Sequence, residues 1–254
     1  MLNPPHWIVR VIAATKGETR IPQSQEIITQ SHAQIIDRRN GFHGAYMELF
    51  NEPELASLES AADCLRAAIP PSKNRRDSNN HFGRMRTMNK ENFLLKDSNS
   101  QPVLDFINAI SIPILAKVTF LLHKSYSFNL ILLKIEAVMT YMVPHIVTAM
   151  KEHAFCGIFP AFTIVTMNSE SKQGELHVDK GDAKWALCAV VYFGNFTEGG
   201  LDFPGINVTL LPQRGGLALF NSGNLYHQVL KCQGVRKCLV LFVPATLYFP
   251  PKQK

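Results

Sequence analysis

A chain of 254 residues with 46% apolar composition can bury one sizeable core, and no long stretch has the composition of a disordered segment. The formal charge of +6 is compatible with an anionic partner but does not require one. Five scattered cysteines (Cys64, Cys156, Cys188, Cys232 and Cys238) form no CxxC and no zinc-like spacing, which argues against a disulfide framework and for a reducing compartment.

The opening MLNPPHWIVRVIAATKG has no continuous apolar signal region, because Pro4, Pro5, His6 and Arg10 interrupt it. Up to about Asn51 the texture is mixed, and IPQSQEIITQSHAQIIDRR suits either a short helix or an extended arm. From Glu54 to Ile69, leucine and alanine recur at helical spacing, and Pro70 and Pro71 close the helix. Residues 71–90 are rich in Lys, Arg, Asn and Ser without periodicity, so they read as a basic loop. There Arg75, Arg76, Arg84 and Arg86 could face phosphate, the alternative being a solvated linker. Between Pro102 and Phe155 helical spacing returns, broken near Pro113, Ser125 to Ser127 and Pro144, which predicts two or three helices packed as a buttress. Its most apolar part, Ile107 to Leu122, carries Asn108, Pro113 and Lys117 and is too short and too broken for a membrane span. A soluble, intracellular protein is expected.

From Phe159 onward short apolar runs alternate with Gly, Asn and Pro: FPAFTIVTM, ELHVD, WALCAVVYFG, GLDFP, INVTLL, GLALFN, LYHQVL and VRKCLVLFVPA. Close-spaced strands of this kind suggest a sandwich or jelly roll. The predicted class is α+β: a mainly helical annex over 1–155 and a β-rich core over 156–254, integrated as one domain.

Three features converge in the β-rich part. In His177-Val178-Asp179, strand periodicity points residues i and i+2 to one face, so an imidazole and a carboxylate can reach one ion. His227 lies well downstream in another predicted strand; a satisfied core histidine is the bland alternative. Two imidazoles and a carboxylate on one face of iron leave three positions open, as in non-haem Fe(II) oxygenases. Arg236 begins the last strong strand, where a buried guanidinium needs an anion such as the distal carboxylate of 2-oxoglutarate.

The text HVDKGDAKWALCAVVYFGNFTEGGLDFPGINVTLLPQRGGLALFNSGNLYHQVLKCQGVRKCLVLFV resembles the Fe(II)/2-oxoglutarate dioxygenase superfamily. It looks most like the branch of ten-eleven-translocation/J-binding-protein (TET/JBP) base dioxygenases and their fungal, often transposon-associated, relatives. Phe196, Gly199, Gly200, Leu201 and Pro204 match the branch's glycine turn with one extra residue; Gly216, Phe220 and Ser222 match the next strand. Gly234 and Arg236 match the cosubstrate end, while Cys238 stands where the family has Ser and removes a hydroxyl donor. The resemblance covers Phe162 to Val243 and implies a double-stranded β-helix with His177, Asp179 and His227 as metal ligands and catalytic centre.

The resemblance also implies Fe(II) and 2-oxoglutarate, with ascorbate as a candidate reductant. It makes oxidation of a C–H bond the expected reaction, with 5-methylcytosine in DNA as candidate substrate, DNA as candidate partner and the nucleus as candidate location. Asp182 falls where the branch places a contact to the cytosine exocyclic amine; a surface loop charge beside Lys180 and Lys184 is its alternative. Asn168 is a candidate neighbour of the cosubstrate, or a turn former at a strand edge. Lys172 is a weaker candidate for an anion, and Trp185 and Tyr226 are packing residues that could stack on a planar substrate. Two further functions stay open: a dioxygenase acting on a protein side chain or small metabolite, and a non-catalytic jelly-roll binding module.

Overall fold

The computed structural model describes residues 8–12, 26–29, 32–37, 42–70, 81–87, 90–95, 97–110, 114–118, 155–156, 159–171, 174–184 and 186–245. In chain order its main elements are β1 (Ile8–Ile12), β2 (Glu26–Ile28), β3 (His32–Asp37), β4 (Phe42–Glu48), α1 (Glu52–Ala68), β5 (His81–Thr87), β6 (Lys90–Leu94) and α2 (Gln101–Ile110). Then follow β7 (Ala161–Asn168), β8 (Cys188–Glu198), β9 (Leu201–Phe203), β10 (Val208–Leu210), β11 (Gly216–Phe220), β12 (Gln228–Val229) and β13 (Cys232–Phe242). Two units emerge: Met1–Phe50 with Thr166–Lys180 and Leu187–Leu239, and Asn51–Val165 with Gly181–Ala186 and Val240–Lys254.

The first unit holds two sheets. One runs β1, β3, β4, β11, β8, β13 and the other β12, β9, β10, β2. The sheets face one another: Phe203 of β9 meets Phe220 of β11 edge-on, with centroids 5.2 Å apart. β11 pairs antiparallel with both neighbours, Leu217 opposite Val191 and Ala218 opposite Tyr46, so its side chains are buried on both faces. A polar triangle stitches the smaller sheet: buried Asp202 accepts from Thr209 Oγ1 at 2.9 Å and from Gln228 Nε2 at 2.6 Å. Two facing, mostly antiparallel sheets of this kind make a double-stranded β-helix.

The second unit packs α1 on α2. Asn51 caps α1 by accepting from Glu54 N–H at 3.0 Å, while the Glu54 carboxylate accepts from Asn51 N–H at 2.9 Å. This reciprocal box, with a proline in the first turn, starts the helix where the leucine periodicity begins. Leu55, Leu58, Ala62 and Leu65 form its buried stripe, and Val103, Phe106 and Ile110 that of α2. Phe162, at the start of β7, gathers Phe82, Phe106 and Phe155 around it at centroid distances of 5.3, 5.3 and 6.0 Å.

Two expectations change. The residues before Asn51 form strands, and the segment that suited either a helix or an extended arm holds β2 and β3. Each is short and takes its pairing from distant chain, β2 from β10 and β4 from β11, so local periodicity carries little signal. The expected annex is therefore not mainly helical over its first fifty residues. The basic loop is also interrupted: Arg84 lies in β5, which pairs with β6 and with β7. Arg75 and Arg76 fall outside the described residues, as does most of the expected helical stretch after Val118. Among the described residues no helix is long and apolar enough to cross a membrane.

Candidate metal centre

Within the first unit, residues 174–179 run alongside 222–229. His177 and His227 exchange both backbone hydrogen bonds, N–H to O at 3.0 and 2.9 Å, and Asp179 N–H donates to Ser222 O at 3.0 Å. Directly opposed residues of an antiparallel pair project to the same side, and Asp179 joins them two residues along. The ring centroids of His177 and His227 are 4.5 Å apart. His177 Nε2 lies 3.5 Å from Asp179 Oδ1, and His227 Nε2 lies 3.6 Å from Oδ2 of the same carboxylate. One ligand atom from each of the three residues falls within 4.8 Å of the others.

The tautomers are set by the backbone. His177 Nδ1 is 2.6 Å from Glu175 O and His227 Nδ1 is 2.9 Å from Leu225 O. A carbonyl oxygen only accepts, so each Nδ1 carries the proton and each Nε2 presents its lone pair towards Asp179. Burial pushes the His227 pKa down, with the Leu225 hydrogen bond and Asp179 opposing it, so the ring is held neutral. Phe220 stands edge-on to His227 at 5.0 Å and shields it on the inner side. The His227 side chain is 6% exposed, but those of His177 and Asp179 are 46% and 40% exposed, so the cluster has a closed back and an open front. Two neutral imidazoles and a carboxylate with an accessible side fit a divalent iron-type cation that keeps positions for other ligands.

Arg236 of β13 is 1% exposed. Its Nη1 donates to Gly199 O, and Nη2 reaches Leu230 O at 3.3 Å and Met167 Sδ at 3.2 Å. Nε is buried without a partner, and no described carboxylate pairs with this guanidinium. A buried cation braced only by neutral groups is costly, and an anion would relieve that cost. The turn glycine Gly199 has its reason here. Its φ is +78°, and an added Cβ would lie 2.5 Å from Arg236 Nη1 and 2.6 Å from Cys232 Cβ. The requirement is approach to the arginine, which sequence reasoning had assigned only to a tight hairpin over the cleft.

The remaining candidates divide. Asn168 is exposed, and its Oδ1 accepts from Glu170 N–H at 3.0 Å and Ser171 Oγ at 3.2 Å. This Asx turn realises the turn-former alternative; strand alternation also points Asn168 away from the face on which Met167 meets Arg236. Asp182 belongs to the second unit, where its backbone pairs with Pro244. Cys238 is buried, and burial above all pushes its thiol up to about 12, leaving a neutral group where the resemblance has Ser. Tyr226 is exposed, while Lys172 and Trp185 lie outside the described residues. Sequence reasoning missed the carbonyl braces on both Nδ1 atoms and the Met167 contact; neither leaves a motif, because backbone acceptors have no residue identity.

Fold and side chains together define a double-stranded β-helix with a His-Asp-His cluster at its mouth. No family model and no curated protein matches the chain. Among solved structures it is similar to NgTET1 in complex with 5mC DNA, with a TM-score of 0.66 and 16% identity over 97% of this chain and 85% of that one. An oxidoreductase of the 2OG-Fe(II) oxygenase family from Burkholderia pseudomallei gives a TM-score of 0.47 at 14% identity, covering 81% and 87%. The viral collagen prolyl hydroxylase of Paramecium Bursaria Chlorella virus-1 gives 0.44 at 11%, covering 92% and 99%. At its identity, the first likeness carries the fold.

Proposed function

We propose that the protein is an Fe(II)- and 2-oxoglutarate-dependent dioxygenase of the TET/JBP-like branch that oxidises a methylated nucleobase such as 5-methylcytosine in DNA. The observation that carries the reading is the cluster itself: His177, Asp179 and His227 offer three ligand atoms to one point, with both Nδ1 protons tied to carbonyls. When bound, iron with 2-oxoglutarate and O2 supplies the oxidising power to insert oxygen into a C–H bond, with release of succinate and CO2. The protein's residues hold and shield. The two histidines and Asp179 fix the metal, Phe220 backs the His227 ring, and Arg236 offers the unpartnered Nε–H edge of its guanidinium to the distal carboxylate.

The substrate class rests on lesser support: the fold likeness to a protein in complex with 5mC DNA, the charge of +6 and exposed Lys180 beside Asp179. On this reading a target base leaves the duplex, Asp182 accepts from its exocyclic amine, and the protein works in the nucleus. The test supplies Fe(II), 2-oxoglutarate, ascorbate and a methylated duplex, and measures modified base and succinate together. Loss of 5-methylcytosine matched to succinate is expected. Succinate released without a change in the base would move the substrate to a protein side chain or small metabolite. No succinate under any condition would favour a non-catalytic binding module.

A further inference from the structure

The Cys238 position removes a hydroxyl from the arginine's surroundings, and the strand opposite restores one. A Cβ added to Gly194 would collide with the Val235 carbonyl and come within 3.1 Å of Lys237 N, while one on Gly234 would come within 3.2 Å of Phe196 Cα. These approaches place Gly194 opposite Arg236 and Phe196 opposite Gly234 in the β8–β13 pair. Continuing the antiparallel register two residues along sets Tyr192 opposite Cys238, on the face that carries Arg236. Tyr192 is 3% exposed. No hydrogen bond involves its hydroxyl among the described residues, although a buried phenol ordinarily finds a partner. Two unsatisfied donors, the Arg236 Nε–H and the Tyr192 O–H, therefore share one interior face.

We propose that Tyr192 is a cosubstrate-binding residue: its phenol donates to the same distal carboxylate that Arg236 receives, taking over from the serine that Cys238 replaces. The inference rests on the 2-oxoglutarate reading above and extends it to a residue the motif does not contain. The protonation state agrees. Burial pushes the phenol well above its usual range, with Cys238 adding to the shift and Arg236 opposing it, so the proton to be donated is present at neutral pH. A carboxylate held by a guanidinium edge and a phenol is better satisfied than one held by the guanidinium alone.

The test is calorimetric binding to the full chain loaded with Mn(II), comparing 2-oxoglutarate with 2-oxopentanoate, which lacks the distal carboxylate. Tyr192→Phe is expected to weaken 2-oxoglutarate about tenfold or more and to leave 2-oxopentanoate unchanged, since the lost contact is a hydrogen bond to a charged group. Adding Cys238→Ser to Tyr192→Phe is expected to recover at least half of the loss, a rescue that a packing role would not produce. Equal weakening of both ligands, no weakening of either, or an absent rescue overturns the assignment while leaving the dioxygenase reading intact. Wild-type protein that binds neither ligand brings down that reading and Tyr192 with it.

Discussion

Arg236→Met tests the anchor directly. Its guanidinium is buried beside two carbonyls and a thioether, with Nε unpartnered and no described counter-charge. Without ligand, the substitution removes a buried charge but strands the Gly199 and Leu230 carbonyls; the two effects oppose, and the melting temperature should move little. With ligand the outcome differs. At 2-oxoglutarate one hundred times its dissociation constant, binding stabilises the wild type by about 2.7 kcal/mol, or roughly 5–10 °C for a chain of this size. Loss of a charge-assisted contact of about 1.5–3 kcal/mol raises the dissociation constant about 12- to 160-fold. The same ligand concentration then stabilises the variant by only about 0.3–1.3 kcal/mol, or about 1–5 °C. The assay is thermal unfolding of Mn(II)-loaded wild type and variant with and without 2-oxoglutarate. A variant that keeps the full shift would show that Arg236 is a structural brace for the glycine turn and that the carboxylate goes elsewhere.

Two expectations concern the scaffold. Phe162→Ala should cost about 3–5 kcal/mol in urea unfolding, because it empties the centre of a four-ring cluster; a loss below about 1 kcal/mol would contradict that packing. Tyr46 accepts from Gln213 N–H at 2.8 Å, and its phenol is pushed up to about 12, chiefly by burial. A folded-state pKa above the unfolded value of about 10 gives a contribution that is complete below pH 10 and is lost as the pH rises towards 12. Between pH 10 and 11 its loss amounts to roughly 1 kcal/mol, so the urea midpoint of Tyr46→Phe should fall less steeply with pH than that of the wild type. Equal slopes would rule out this origin.

How much the sequence disclosed depends on the range of the interaction concerned. Helix α1 is legible because its signals are local: Asn51, Pro53 and Glu54 at the start, a leucine stripe, and two prolines at the end. The strands from β7 onward are legible as short apolar runs between turn residues, and His177 and Asp179 share a face by strand periodicity alone. That His227 pairs back onto His177 requires the jelly-roll topology, which the resemblance supplied. The strands before Asn51 were hidden because what makes them strands is distant: Tyr46 pairs with Ala218, and β2 with β10. β5 was hidden by its own charge, with Arg84 and Arg86 inside a paired strand. Asn168 could be read two ways, and only the Ser171 and Glu170 bonds decide for the turn. Tyr192 has no motif at all; its partners become visible once the β8–β13 register is known.

The central claim is a three-residue metal site, and an anaerobic Fe(II) titration of wild type and Asp179→Ala measures it most directly. The account expects one Fe(II) bound per wild-type chain, and binding lost in the variant with its fold unchanged by circular dichroism, since the Asp179 side chain is 40% exposed and carries little packing. A wild type that takes up no Fe(II), or a variant that binds it as tightly, would contradict the account.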